Sequence, residues 1–279
     1  MRDRQESFGG SLIQHGKYSD RIYLMQVAAE DVPGILAPLD QLALTHGYGK
    51  IFAKVPARLR PAFTEAGYVS EAVIPGFFQG PEDGHFMAKY FSRARSECRE
   101  EERIGEILKA CTQRGPEPDR KPPGGFRFRQ CRTEEIPKLA ALFGATFPSY
   151  PFPVHDPDYL HQTMRSHVDY YGAWQGDELA AVASAEQTSE EGHVEMTDFA
   201  TRQAFRRQGL ASGLLEIMER EMRLKGFRIA YTIARALSAG MNFTFARRGY
   251  RLAGTLINNT QIGGRIECMN VWYKDLQSG

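Results

Sequence analysis

The sequence predicts an α/β protein built on a mixed sheet with helices on its faces. Three observations carry that expectation. The second half alternates short apolar strands with amphipathic helices in the order β-α-α-β-β-β-α-β-α-β-β, a pattern that points to a mixed sheet. One of those strands runs into a basic loop, a single glycine and a long helix. The first half repeats part of the same series. Between the halves, residues 114–125 are so dense in proline and glycine that neither helix nor strand continues through them. The expected organisation is a domain over 1–114, a linker over 115–125 and a second domain over 126–279.

In the second half, 126–131 alternates as a short strand, and Thr133 with Glu134 and Glu135 opens a helix to about Phe147. Asp156 followed by Pro157 starts a second helix, with proline in its first turn. Segments 170–174 and 178–186 flank Gln175, Gly176 and Asp177, a hairpin signature. The next strand is 193–201. The long helix, 209–225, places Leu210, Leu214, Ile217, Met218 and Met222 on one face. A strand over 227–234, a helix over 238–248 closed by Gly249, and strands over 251–258 and 265–274 complete the series. In the first half, a helix over 35–46, a strand over 50–55, a helix, Gly67 and Tyr68, then strands over 69–78 and 85–91 mirror the part ending at Gly249, Tyr250 and Tyr273. The equivalent of the basic loop is missing there; the chain instead reads Glu30, Asp31, Val32, Pro33, Gly34.

The chain has 279 residues, 42% of them hydrophobic and 25% charged, with a net charge of +1. Those are the values of a soluble globular protein, and near-neutrality argues against nucleic acid as the main partner. No apolar run is long enough to span a bilayer, and the polar start of the chain lacks the apolar core of a signal peptide. Cys98, Cys111, Cys131 and Cys268 form no C-x-x-C pair. They read as free thiols of a reducing cytoplasm. The seven histidines have no metal-ligand spacing, so no metal is expected.

The most informative stretch is 195–222. The first-turn amides and dipole of the helix after Gly209 favour an anion. Arg206 and Arg207 add positive charge, and Gly209 lets backbone approach a ligand closely. Together with Gln208, Leu210 and Ala211 they form a site suited to a pyrophosphate. The plain alternative is a solvated helix start; a strand before, a long helix after and a carboxylate on the strand, Glu195, weigh against it.

In this element order, from 126 to 274, the chain resembles the GNAT superfamily of acyl-CoA-dependent N-acyltransferases. The loop Arg206 to Ala211 matches that family's pyrophosphate-binding motif. The resemblance implies a GNAT fold in the C-terminal half, preceded by a partial, degenerate GNAT-like N-terminal half. It implies acetyl-CoA as co-substrate, with its pantetheine arm along Phe199, Ala200 and Thr201. Glu195 falls where several members carry a glutamate general base. Phe245 stands where many carry a tyrosine general acid, so the usual acid is absent. Asn242 and Ser238 neighbour the expected cofactor groove.

A closer resemblance is to bacterial and archaeal β-lysine N-acetyltransferases. It rests on the strings at 197–201, 230–236, 240–242, 258–260 and 269–274, and in the front half at 50–56, 74–78 and 89–92. That family acetylates the side-chain amine of β-lysine to make a compatible solute. The implied protein is a cytoplasmic acetyltransferase acting on a small-molecule amine. Another polyamine, an aminoglycoside or a protein amine is the alternative acceptor. A non-catalytic acyl-CoA-binding sensor is the rival class, favoured by Phe245 alone.

Acceptor residues are expected from four places. Asp198 lies three positions after Glu195 and points to the opposite face unless a bulge intervenes. The proline-stiffened loop 147–157 offers Tyr150, Phe152 and Asp156. The last two strands offer Asn258, Asn259 and Glu267. A zwitterionic acceptor also needs a cation for its carboxylate, and the sequence does not select among the arginines. Three roles stay open for the front half: completing the acceptor pocket, supporting a homodimer, or capping the sheet.

Overall fold

The computed structural model describes residues 3–79, 81–116 and 123–277. Most of the expected linker, 117–122, lies outside the described residues. The front half supplies β1 (Arg4–Phe8), β2 (Ser11–Gly16), β3 (Arg21–Gln26), β4 (Lys50–Pro56), β5 (Val69–Ile74) and β6 (Gly84–Tyr90). Its helices are α1 (Leu36–His46), α2 (Arg60–Glu65), α3 (Arg93–Ser96) and α4 (Glu101–Arg114). The back half supplies β7 (Arg127–Gln130), β8 (Val168–Gln175), β9 (Glu178–Thr188), β10 (His193–Thr201), β11 (Ile229–Arg235), β12 (Arg251–Ile262) and β13 (Arg265–Asp275). Its helices are α5 (Ile136–Thr146), α6 (Pro157–Ser166), α7 (Leu210–Leu224) and α8 (Ala239–Arg247).

These strands form one continuous sheet in the order β1-β2-β3-β4-β6-β5-β12-β13-β11-β10-β9-β8-β7. Each half follows the same plan. One parallel pair, β3 with β4 or β10 with β11, is followed by two antiparallel pairings, β4-β6-β5 or β11-β13-β12. A helix bridges each parallel pair, α1 in front and α7 behind, as a parallel crossover needs. The halves then meet through equivalent strands, β5 and β12, running antiparallel. In the front half the acidic Glu30 and Asp31 stand between the first parallel strand and its helix, where the back half has its basic loop.

Two local features make that junction. Gly254 faces Ala72 across β5 and β12, and a Cβ there would stand 2.1 Å from the carbonyl oxygen of Glu71. Only glycine permits so close an approach. Beyond it, β12 bulges between Leu256 and Thr260, and the bulged residues bond into the front half. The Glu71 carboxylate accepts from Ile257 N and from the Lys50 ammonium, both at 2.7 Å, and from the Tyr90 hydroxyl. Lys50 also donates to Ile257 O at 2.7 Å. This ion pair is almost fully buried; with Lys50 bonded to two acceptors, it holds geometry more than it adds stability. An apolar cluster crosses the same boundary, joining Tyr23, Phe52, Phe77 and Phe86 to Tyr231, Leu256, Met269 and Val271.

Candidate active site

The sheet opens where its parallel pair splits. β10 and β11 are in register only from His193 with Ile229 to Glu195 with Tyr231; beyond Glu195 the two strands diverge. On the other side of β10 the ladder to β9 skips from Thr197 to Ala200, and Asp198 adopts a left-handed φ of 54°. A bulge of this kind turns consecutive side chains onto one face and frees main-chain groups from the ladder. Glu195, Asp198 and Phe199 consequently line one cavity of about 950 Å3. The front half forms its other wall, with Arg21, Tyr23, Phe52 and Lys54. Tyr150 and Phe152, from the loop before α6, also line it.

Glu195 is partly buried. Its Oε2 accepts from the Tyr231 hydroxyl at 2.9 Å, and that hydroxyl accepts from Lys54 Nζ at 3.2 Å. Glu186 stands directly opposite Glu195 in the β9–β10 register. Burial, reinforced by the charge of Glu186, pushes the Glu195 carboxyl up to about 7, against the opposing pull of Lys54 and Tyr231. Burial acts to lower the Lys54 pKa, but Tyr23, Glu195 and Glu186 outweigh it and the net shift is upward. Asp198 is lifted to about 6 by burial, opposed by its two donors, Ser184 Oγ at 2.6 Å and Tyr150 OH at 2.7 Å. A carboxylate tuned near neutrality can take a proton from a cationic amine far more readily than an ordinary one.

At the far end of β10 the chain turns through Arg207 (φ 64°) and Gly209 (φ 79°) into α7. The bond from Gly213 N to Gly209 O closes the first turn, at 3.1 Å, so the amides of Leu210, Ala211 and Ser212 precede any intrahelical acceptor. Arg206, Arg207, Gln208 and Gly209 are exposed. Arg206 donates to Thr201 O at 3.4 Å, and among the described residues no carboxylate pairs with either arginine. Free amides, a helix dipole and two spare guanidinium groups fit a diphosphate.

Over residues 136–250 the chain matches the Acetyltransferase (GNAT) family. It is 34% identical, over 264 residues, to the beta-lysine N(6)-acetyltransferase of Methanococcus maripaludis, covering 95% of this chain and 96% of that one. The chain belongs to the GNAT acetyltransferase family. The enzyme is also 29% identical to the beta-lysine N(6)-acetyltransferase of Methanosarcina mazei, over 87% of this chain and 97% of that one. The ribosomal-protein-S18-alanine N-acetyltransferase from Escherichia coli superposes with a TM-score of 0.48 at 16% identity, over 54% of this chain and 94% of that structure. This GNAT protein is therefore an N-acetyltransferase, and GNAT acetyltransferases use acetyl-CoA.

The acetyltransferase fold brings Glu195, Asp198, Phe199, Tyr150 and Phe152 together, with Ser238, Asn259 and Phe245 on the same cavity. Ala200 is buried within the strand, and Thr201 ends it. Four expected residues lie elsewhere. Asp156 caps α6, accepting from Asp158 N at 3.0 Å, and Glu267 is paired with Arg235 at 2.6 Å and Arg265 at 2.8 Å. Asn242 is sealed in the interior: its amide donates to the carbonyls of Arg235, Ala236 and Ser238, and its Oδ1 accepts from Asn270 and Trp272. With its polar atoms all bonded to protein, it fixes the start of α8 and does not face the groove. Asn258 sits in the β12 bulge with φ 44° and donates to the carbonyls of Ala94, Arg95 and Glu97. It ties the halves together and does not line the cavity. Lys54, Tyr23 and Glu186 also line the cavity, and Tyr231 and Ser184 bond to its carboxylates; none of the five stands out in the sequence as a candidate. A lysine inside the otherwise apolar run 51–56 was the available signal for Lys54.

Proposed function

We propose that the enzyme acetylates the side-chain amine of a small diamino acid, with β-lysine as the acceptor and Glu195 as the base. The observation that carries this is the placement of Glu195, with a pKa of about 7, where β10 and β11 part and at the wall of a cavity large enough for such an amine. Similarity over nearly the full chain to two proteins named for β-lysine supports the choice of acceptor.

Acetyl-CoA, when bound, supplies the acyl group as a thioester; Arg206, Arg207, Gln208 and the amides after Gly209 are the residues we assign to its diphosphate. Phe199, in the bulge, offers a main-chain amide freed from the β9 ladder for the carbonyl oxygen. The acceptor enters from the cavity as an ammonium with a pKa of about 10.4. Passing its proton to an ordinary glutamate is uphill by about 6 on the pH scale; to Glu195 at about 7 it is uphill by about 3.4, a saving of roughly 3.4 kcal/mol. Tyr231 and Lys54 hold the Glu195 carboxylate in place. Phe245 offers no hydroxyl, and a coenzyme thiol of pKa about 8.5 leaves tolerably as thiolate. The product would be a net-neutral zwitterion, the charge type that suits a compatible solute.

The test is thiol release from acetyl-CoA with β-lysine, α-lysine, polyamines, an aminoglycoside and a protein amine, followed by mass-spectrometric mapping of the acetylated nitrogen. The highest kcat/KM is expected for β-lysine, with acetyl on its distal nitrogen. A polyamine, an aminoglycoside or a protein as the best acceptor would overturn the proposal.

A further inference from the structure

We propose that Arg21 of the front half binds the substrate's carboxylate, so that the copy without an anion loop supplies the specificity end of a shared site. The inference rests on the diamino-acid reading above. Of the two arginines lining the cavity, Arg235 is committed to Glu267 at 2.6 Å. Arg21 is 4% exposed, and a guanidinium withdrawn so far from water is normally paired. Among the described residues no carboxylate pairs with it. Its Nη1 donates to Asn259 O at 2.8 Å, and its Nε is buried without an acceptor. Asp3, whose field reaches Arg21, accepts from the amides of Tyr18 and Ser19 instead. Arg95 adds further positive charge nearby, and the carboxylate it meets is Asp20, at 3.3 Å.

The geometry suits a planar anion. The Arg21 guanidinium lies over the rings of Tyr23, at 5.1 Å, and Phe52, at 5.8 Å, which fixes its plane, and a fixed fork of N–H donors matches a carboxylate. Its position along the sheet matches a diamino acid. Arg21 is in register with Lys50, and Lys54 follows four residues later on the same face of β4, its main chain about 13 Å further along the strand at about 3.3 Å per residue. Lys54 reaches Glu195 through Tyr231. Carboxyl carbon and distal nitrogen of β-lysine are six bonds apart, about 7 Å when extended; a hydrogen bond of about 2.9 Å at each end brings the span to the same scale.

The test compares kcat/KM for β-lysine with that for 1,4-diaminopentane, the same molecule without its carboxylate. Wild type is expected to favour β-lysine by about 30-fold or more. Arg21→Met should bring the ratio near one, mainly through the KM for β-lysine, while Arg21→Lys, which keeps charge but not the fork, should fall between. If Arg21→Met does not fold, judged by circular dichroism, the Arg21→Lys ratio decides alone. A ratio unchanged in the folded variant, or an equal loss on both substrates, overturns the assignment. Wild type inactive on every diamino acid overturns the substrate reading itself, and that result appears before any substitution is made.

Discussion

A Glu195→Gln substitution is expected to stabilise the protein at pH 8 while it removes turnover. Folding moves the Glu195 pKa from 4.5 to about 7, chiefly through burial. That displacement corresponds to about 3.4 kcal/mol at about 1.36 kcal/mol per tenfold. An acid whose pKa rises on folding binds more protons when folded. Its penalty is therefore absent below pH 4.5, grows between 4.5 and 7, and is complete above. Glutamine carries no such penalty. The variant should match wild type at pH 4 and exceed it at pH 8 by up to about 3 kcal/mol, a Tm gain of several degrees at about 2–4 °C per kcal/mol. The same change should lower kcat/KM by about 10²–10⁴-fold and abolish the acid limb near pH 7, below which wild-type activity falls as Glu195 protonates. Scanning fluorimetry at pH 4, 6 and 8 and thiol release over the same range read both effects. A Tm difference that is the same at pH 4 and pH 8 would refute the buried-acid reasoning, and unchanged turnover would refute the role as base.

Lys54→Met removes a cation that holds the Glu195 pKa down, so the acid limb of the pH–rate profile should move upward by about one pH unit; an unmoved limb would separate Lys54 from the base. Gly254→Ala drives a methyl into the Glu71 carbonyl and should cost about 2 kcal/mol or more in urea unfolding; unaltered stability would contradict the close junction of β5 and β12. Arg206→Ala with Arg207→Ala removes two exposed guanidinium groups and should raise the KM for acetyl-CoA by about tenfold, leaving the acid limb in place. A KM change for the amine alone would argue against the diphosphate site.

The loop proposed for the cofactor was legible in the sequence because it is local: β10, the loop at Arg206–Gly209 and α7 are consecutive, and amphipathic spacing marks the helix. The repeat was legible too, since Gly67-Tyr68 and Gly249-Tyr250 close equivalent helix turns. The cavity was legible only in part: Glu195, Asp198, Tyr150 and Phe152 were expected and line it, while its other wall was not. Lys54, Glu186 and Tyr231 lie on three different strands far apart in the chain, and only the sheet order brings them to Glu195. The placement of Asp198 beside Glu195 depends on a bulge that strand periodicity cannot announce. Asn242 and Asn258 drew attention as polar residues near the expected groove, yet their amides satisfy buried or bulged backbone, a role that sequence does not distinguish from ligand binding. The strands β1–β3 were not foreseen. β1 is short and largely exposed, and β2 and β3 are only six residues each. Arg21 and Tyr23, on β3, were missed with them.

On the proposed reading, both halves build one acetyl-transfer site between them. A crystal structure with coenzyme A and N6-acetyl-β-lysine tests it most directly. The diphosphate is expected on the amides after Gly209, the product's amide nitrogen within hydrogen-bond reach of Glu195, and its carboxylate on the front-half wall. Product lodged wholly within the back half, away from Arg21 and Lys54, would contradict it.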